Sequence, residues 1–387
     1  MKRQQLIIAA IVGGLLLAGI SGVVFKQVAT EKPIHRDTNR ASIVVKKPQP
    51  APKKAPKVVH HAGNYTKAQA IAKIDTLIKN GHIMGTLLIT NNGPAGVVTR
   101  TYGYADVASA KLSSANEVYP LASLQKALTG AVVQCLINQG KLRMTTPLSK
   151  YFPQIPYAQN ITVRDLLDHR SGIRMGEPAP TTVLPDEAAQ IKFTVTHLTS
   201  TNNHAYAYSN ANFTLLAGMI RRATGQSYLT NLKTFVLKPL GMRHTFAYNQ
   251  IPVNTVDPEA YQLTSGDSRP VTISKALQSS ELGCGSLYSS VGDYYKFINA
   301  LLTGKLVGHA GFNELSAQQQ LNYAAGIYYL GDGNIRIGGS DNSFNTYYMG
   351  TTSGKIGVVL FDNQGNFRGD NGIGYEIQAI LAKSDLF

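Results

Sequence analysis

The chain has 387 residues, of which 43% are hydrophobic, with a formal charge of +15 and two cysteines. That is length for one large domain or two average ones, and enough apolar content for a sizeable core. Residues 1–63 hold 11 Lys/Arg against 2 Asp/Glu, so more than half of the excess charge lies outside the part that reads as folded, and the basic balance is no sign of a nucleic-acid-binding domain.

Residues 6–25 (LIIAAIVGGLLLAGISGVVF) carry no charge and are long enough to cross ~30 Å of hydrocarbon as a helix. Lys2 and Arg3 precede them. This predicts a cytoplasmic segment at 1–5 and a single transmembrane anchor at the cell membrane, with all that follows on the extracellular side. A cleaved signal peptide has a shorter apolar stretch and a small-x-small site after it, and neither matches this run. Residues 26–63 are rich in Lys and Pro, poor in aromatics and without periodicity, which predicts a disordered basic linker. His60 and His61 have no cluster of further ligands beside them, and no metal site is expected.

The folded part is expected at 64–387. Ile71, Ile74, Leu77 and Ile78 share one face of a predicted helix over 67–79. Strand-like runs at 83–90 and 96–104 flank a turn signal, Asn91-Asn92-Gly93-Pro94. A mostly helical section follows from about 123 to 301. Strands return at 325–330, 345–351 and 356–361, and a last helix covers 374–381. This order predicts one α+β domain whose sheet is built from both ends of the chain. Cys135 lies in an apolar helical run, where a reduced thiol is the common state, so no disulfide is expected.

The chemistry starts at Ser123. A helical pattern begins there and ends near Gly140, which puts the serine at a helix N-terminus, where free N–H groups favour an oxyanion. Lys126 follows one turn later on the same face. A partly desolvated lysine near that positive end has a lowered pKa and can act as a base toward the serine. Tyr208-Ser209-Asn210 precedes another apolar helix and offers a second proton carrier and an amide. Each piece taken alone is an ordinary capped helix start. No Gly-x-Ser-x-Gly elbow, no metal-ligand spacing and no phosphate-binding glycine loop is present.

Four blocks in order change the balance: the run from Ala122 through Pro156 (ASLQKALTGAVVQCLINQGKLRMTTPLSKYFPQIP), ITVRDLLDHRSGI at Ile161–Ile173, YSNANFTLLAGMIRRATGQSYLTNLKTFVLKPLGMRHTFAY from Tyr208, and GCGSLYSSVGDYYKFINALLTGK from Gly283. They resemble the serine β-lactamase and penicillin-binding protein superfamily, in the branch with Tyr-x-Asn as its second motif. The resemblance implies the β-lactamase/D,D-peptidase-like fold, an acyl-enzyme on Ser123, shared acid and base roles for Lys126 and Tyr208, an orienting role for Asn210, and no cofactor. His169 matches a histidine of the second block and is read as structural. The third motif, Lys/His-x-Gly on a strand, falls at Ile337-Gly338-Gly339, and the N–H groups of Ser123 and Ser340 would form the oxyanion hole. Ile337 departs from the pattern. It cannot pair with the terminal carboxylate of a D-Ala-D-Ala peptide or a penicillin, and Arg336 is expected to point to the opposite face of the strand. The chain is similar to esterases that release D-alanine from (lipo)teichoic acid of the Gram-positive cell envelope, which is the function the resemblance implies. The alternatives are a D,D-carboxypeptidase acting on peptidoglycan stem peptides, a β-lactamase, and a catalytically idle envelope-binding module.

Overall fold

The computed structural model describes residues 65–264, 267–317, 321–364 and 367–385. The anchor expected at 6–25 and the linker expected at 26–63 lie outside the described residues, among which no helix is long and apolar enough to cross a membrane.

The first helix, α1 (Lys67–Asn80), starts on a reciprocal cap. Thr66 accepts from the Gln69 N–H, and the Gln69 side chain accepts from the Thr66 N–H. Such a cap satisfies two otherwise orphan donors and contributes about 1 kcal/mol. The strands β1 (Met84–Thr90) and β2 (Val98–Tyr102) follow. After the helical section the chain returns with β3 (Tyr323–Ala324), β4 (Ile327–Gly331), β5 (Asn334–Asp341), β6 (Phe344–Thr351) and β7 (Gly357–Gln364). These seven strands form one antiparallel sheet in the order β3-β4-β5-β6-β7-β1-β2. The pairing of β1 with β7, with Leu88 opposite Val359, is where the two ends of the chain meet.

The strand expected at 325–330 is instead two strands around a tight reversal. Ala325 and Gly326 both take positive φ there, so the chain folds back on itself rather than running through. The closing helix, Phe367–Ala382, is longer than its apolar pattern predicts.

Strands β1 and β7 are buried along their whole length, which explains why they read as apolar runs rather than as alternations. One sheet face packs Leu87, Met349 and Leu360 against Ile74 and Ile78 of α1 and Ile377 and Leu381 of the closing helix. The other face carries Leu88, Val359, Phe361 and Ile337 into the main core with the helical section. Helix α2 (Gln125–Asn138) runs through this core, and all of its residues except Cys135, Ile137 and Asn138 are buried. A helix buried all round must satisfy its polar groups internally. Gln125 does so by accepting from the Leu287 N–H and donating to the Tyr228 hydroxyl.

A small sheet not foreseen in the sequence sits beside the start of α2. Tyr119–Pro120 pairs with Leu287–Ser289, which pairs in turn with Thr245–Ala247. It clamps the segment that leads into Ser123.

Candidate active site

The Leu121 N–H donates to the Leu287 carbonyl at 2.7 Å, and the chain then turns sharply through Ala122, which takes φ 46°. The left-handed region costs a non-glycine residue on the order of 1 kcal/mol, and alanine keeps the side-chain clash small. Ser123 therefore sits in a short 3-10 turn just before α2, rather than inside its first turn. Strand β5 supports this turn from the other side. A Cβ on Gly339 would stand 2.6 Å from the Leu121 carbonyl oxygen and 2.9 Å from the Ser123 nitrogen. Only glycine lets the strand and the turn approach so closely. The Thr346 hydroxyl, one strand over, donates to the Leu121 carbonyl at 3.0 Å.

The structure brings Ser123, Lys126 and Tyr208 together. Lys126 Nζ donates to Ser123 Oγ at 2.9 Å and to the Cys284 carbonyl at 3.3 Å. Ser123 Oγ and the Tyr208 hydroxyl are 2.7 Å apart. The lysine amine also lies 4.8 Å from the centre of the Tyr208 ring. Lys126 is almost wholly buried, whereas Tyr208 keeps its edge in solvent.

The charge state of Lys126 differs from expectation. Burial by itself favours the neutral amine, but the acidic side chains of Tyr208, Cys284 and Glu281 packed beside it, together with a hydrogen bond to Tyr208, outweigh it, and the amine is held above its ordinary value. The sequence predicts a lowered lysine from desolvation and the helix end. The acidic side chains that the fold packs around the amine reverse that direction. The shift therefore favours the ammonium form of Lys126. Glu281 is shifted as well: burial, followed by repulsion from Asp341, pushes its carboxyl up to about 8 against the pull of Lys126.

His169 positions the tyrosine loop. Its carbonyl accepts from the Ala207 N–H, and its Nδ1 accepts from the Ser209 N–H and the Asn212 amide. With Nδ1 accepting, the ring proton is on Nε2, 3.1 Å from the Tyr323 hydroxyl. Burial, and then the Lys126 charge, push the imidazole down to about 2, so it is neutral. Its ring packs 4.3 Å from the Tyr208 ring, centre to centre. Asn212 and Tyr323 were missed in the sequence. Asn212 follows the Tyr-x-Asn motif with nothing to mark it, and Tyr323 lies far along the chain.

Asn210 does not reach Lys126; the Cys284 carbonyl takes that place. Its Oδ1 is buried without a hydrogen-bond partner among the described residues. The two cysteines are free, with Cys284 buried.

Beyond Ile337, β5 is paired on one side only, because β4 engages residues 334–336 and no further. That open edge borders a cavity of ≈ 230 Å³ lined by Ser123, Tyr208, Tyr323, Gly326, Tyr328 and the segment from Arg336 to Ser340. Along β5 burial alternates: Ile337, Gly339 and Asp341 are turned into the protein, and Arg336, Gly338 and Ser340 are on the accessible side. Ile337 is 1% exposed and belongs to the core. The expectation that Arg336 lies on the face opposite Ile337 holds, but its consequence is reversed. The cavity lining takes in residues of both faces, Ile337 and Gly339 as well as Arg336, Gly338 and Ser340, so the cavity does carry a cation. The Arg336 guanidinium sits 4.2 Å from the centre of the Tyr328 ring.

A family model described as Beta-lactamase matches residues 70–379. The chain is 29% identical over 292 residues to PbpX of Bacillus subtilis (strain 168), a protein named for the penicillin-binding proteins, covering 75% of this chain and 73% of that one. It is 26% identical over 317 residues to the teichoic acid D-alanine hydrolase of Staphylococcus aureus, covering 79% and 77%. The crystal structure of FmtA from Staphylococcus aureus superposes with a TM-score of 0.72 at 23% identity, over 87% of this chain and 93% of that one.

Proposed function

The chain belongs to the beta-lactamase family, and from that premise we propose that it is a serine esterase that releases D-alanine from teichoic acid in a cell envelope. The observation that carries the reading is the serine hydroxyl joined at once to a tyrosine and a buried lysine beside an open cavity. The similarity to a teichoic acid D-alanine hydrolase supports the substrate class.

The geometry suits the following steps. Because Lys126 donates to Ser123 Oγ, the serine proton is directed to the Tyr208 oxygen, which in its phenolate form is the base of this step. Ser123 Oγ attacks the ester carbonyl as its proton passes to Tyr208. The oxyanion is received by the N–H groups of Ser123 and Ser340, the latter on the open edge of β5. The intermediate collapses, the bond to the polyol oxygen breaks, and Tyr208 returns its proton to that oxygen. A water then gives its proton to Tyr208 and attacks the D-alanyl-Ser123 ester. The bond to Oγ breaks, Ser123 recovers a proton from Tyr208, and D-alanine leaves. Retention of all three groups argues against an idle binding module, which needs none of them.

A second reading, a D,D-carboxypeptidase, is favoured by one observation: Arg336 supplies the cavity with a cation that a terminal carboxylate could use. Release of D-alanine from D-alanylated lipoteichoic acid and from D-Ala-D-Ala-ending peptides by the purified protein separates the two. Turnover of the polymer ester, lost in Ser123→Ala, supports the esterase. Turnover of the peptides alone promotes the carboxypeptidase. The apolar run at 6–25 and the basic segment after it support a membrane-anchored enzyme whose 64–387 domain faces outward.

A further inference from the structure

Resting on the ester reading above, we propose that Arg336 forms a subsite for a phosphodiester of the leaving group, so that the enzyme reads the charged polymer backbone next to the ester it cleaves. Arg336 borders the same cavity as Ser123 and Tyr208. Among the described residues no carboxylate pairs with it. What holds it is Tyr328, the residue opposite on β4, whose ring lies under the guanidinium at 4.2 Å. A cation–π contact of this kind engages the ring without consuming an N–H donor, and among the described residues no hydrogen bond occupies the guanidinium's donors. A planar fork of donors, fixed in direction and without a counter-ion, matches the paired non-bridging oxygens of a phosphodiester.

The surroundings fit an anionic ligand. The Tyr328 hydroxyl is 3.4 Å from that of Tyr206, which is itself partly exposed, so two phenols stand beside the guanidinium. Gly338 and Ser340 continue the same face of β5, so no bulky side chain separates Arg336 from the strand edge that would hold the oxyanion. In a D-alanylated polyol phosphate the ester oxygen and the nearest phosphate oxygen are carried on adjacent carbons. An ester carbonyl at Ser123 therefore brings a phosphodiester into the same cavity. The D-alanyl group has no carboxylate of its own to occupy Arg336, because that carboxyl is the ester being cleaved.

The test uses the full chain with two esters of identical acyl group. One is D-alanyl glycerol carrying a methyl phosphodiester on the neighbouring carbon; the other is neutral D-alanyl glycerol. A D-Ala-D-Ala peptide is the third substrate. Arg336→Gln is expected to lower kcat/KM on the charged ester by roughly 10- to 100-fold relative to the neutral one. Arg336→Lys is expected to recover part of the difference, since it restores charge without the fork. An unchanged ratio between the two esters overturns the subsite, and so does a loss confined to the peptide, which assigns Arg336 to a terminal carboxylate. If the wild type turns over neither ester, the esterase reading fails. The subsite is then read from fluorophosphonate labelling of Ser123 in the presence of poly(glycerol phosphate). Slower labelling in the wild type but not in Arg336→Gln upholds it, and equal labelling sinks it.

Discussion

Ser123 and Tyr208 are 85 positions apart in the chain, yet their hydroxyls lie 2.7 Å apart, with Lys126 donating to the same serine oxygen. Three groups that share protons in this way act as one unit. Lys126→Met and Tyr208→Phe are each expected to lower turnover by several orders of magnitude. The double variant should fall far less than the product of the two. Steady-state rates on a D-alanyl ester decide it: multiplicative losses mean that the two residues serve separate steps.

His169 touches no reacting atom; it holds the loop that carries Tyr208. His169→Asn removes the acceptor of two N–H bonds from that loop. The expectation is a loss of roughly 10- to 100-fold in kcat with a smaller change in KM, because transition-state positioning suffers more than binding. The folded-state pKa lies far below the unfolded value of 6.5. Protons therefore bind the unfolded state preferentially, and stability falls as pH drops below about 6.5. Chemical denaturation from pH 7 to pH 4 should show a steeper decline in the wild type than in the variant. Parallel declines would contradict a buried neutral imidazole.

Glu281 acts in the opposite sense. Its carboxyl is pushed up to about 8 from an ordinary 4.5, so the folded state holds a proton that the unfolded state has released. Its contribution to stability is full below about 4.5, declines as pH rises, and is gone above about 8. The slope is at most about 1.4 kcal/mol per pH unit, reduced by whatever solvent reaches the group. Glu281→Gln should flatten the dependence between pH 5 and 8 relative to wild type. An identical dependence in the two proteins would show that the carboxyl is already ionised in the fold.

Gly339 is where strand β5 touches the nucleophile turn. Gly339→Ala places a methyl group 2.6 Å from the Leu121 carbonyl oxygen and 2.8 Å from the Thr346 hydroxyl. The turn must shift, which is expected to cost about 1–3 kcal/mol of stability. Activity should fall by more than the loss of folded protein accounts for, since the Ser123 N–H moves with the turn. Measuring the melting temperature and the rate on the same sample checks this, and a wild-type rate in the folded variant would remove Gly339 from the site's support.

Much of this protein is local information. The cap at Thr66, the apolar stripe of α1, and the one-turn spacing of Ser123 and Lys126 depend on neighbours a few positions away, and they can be read from the chain. The α+β order and the return of the C-terminal strands to β1 follow from the succession of patterns. Alternation along β5 separates Arg336 from Ile337 in the same way. That both of them line the cavity beside Ser123 is another matter, because that depends on how α2 and the main core pack against the sheet. The charge on Lys126 was likewise beyond the sequence. Burial and nearby acidic side chains act in opposite directions, and those side chains, Tyr208, Cys284 and Glu281, all lie far from Lys126 along the chain. Asn212 enters the site as a partner of His169, and Tyr323 as its other partner and as part of the cavity lining. Backbone periodicity is set by bonds within one segment, whereas pKa, exposure and hydrogen-bond partnership depend on through-space neighbours, and those are chosen by the packing of the whole domain.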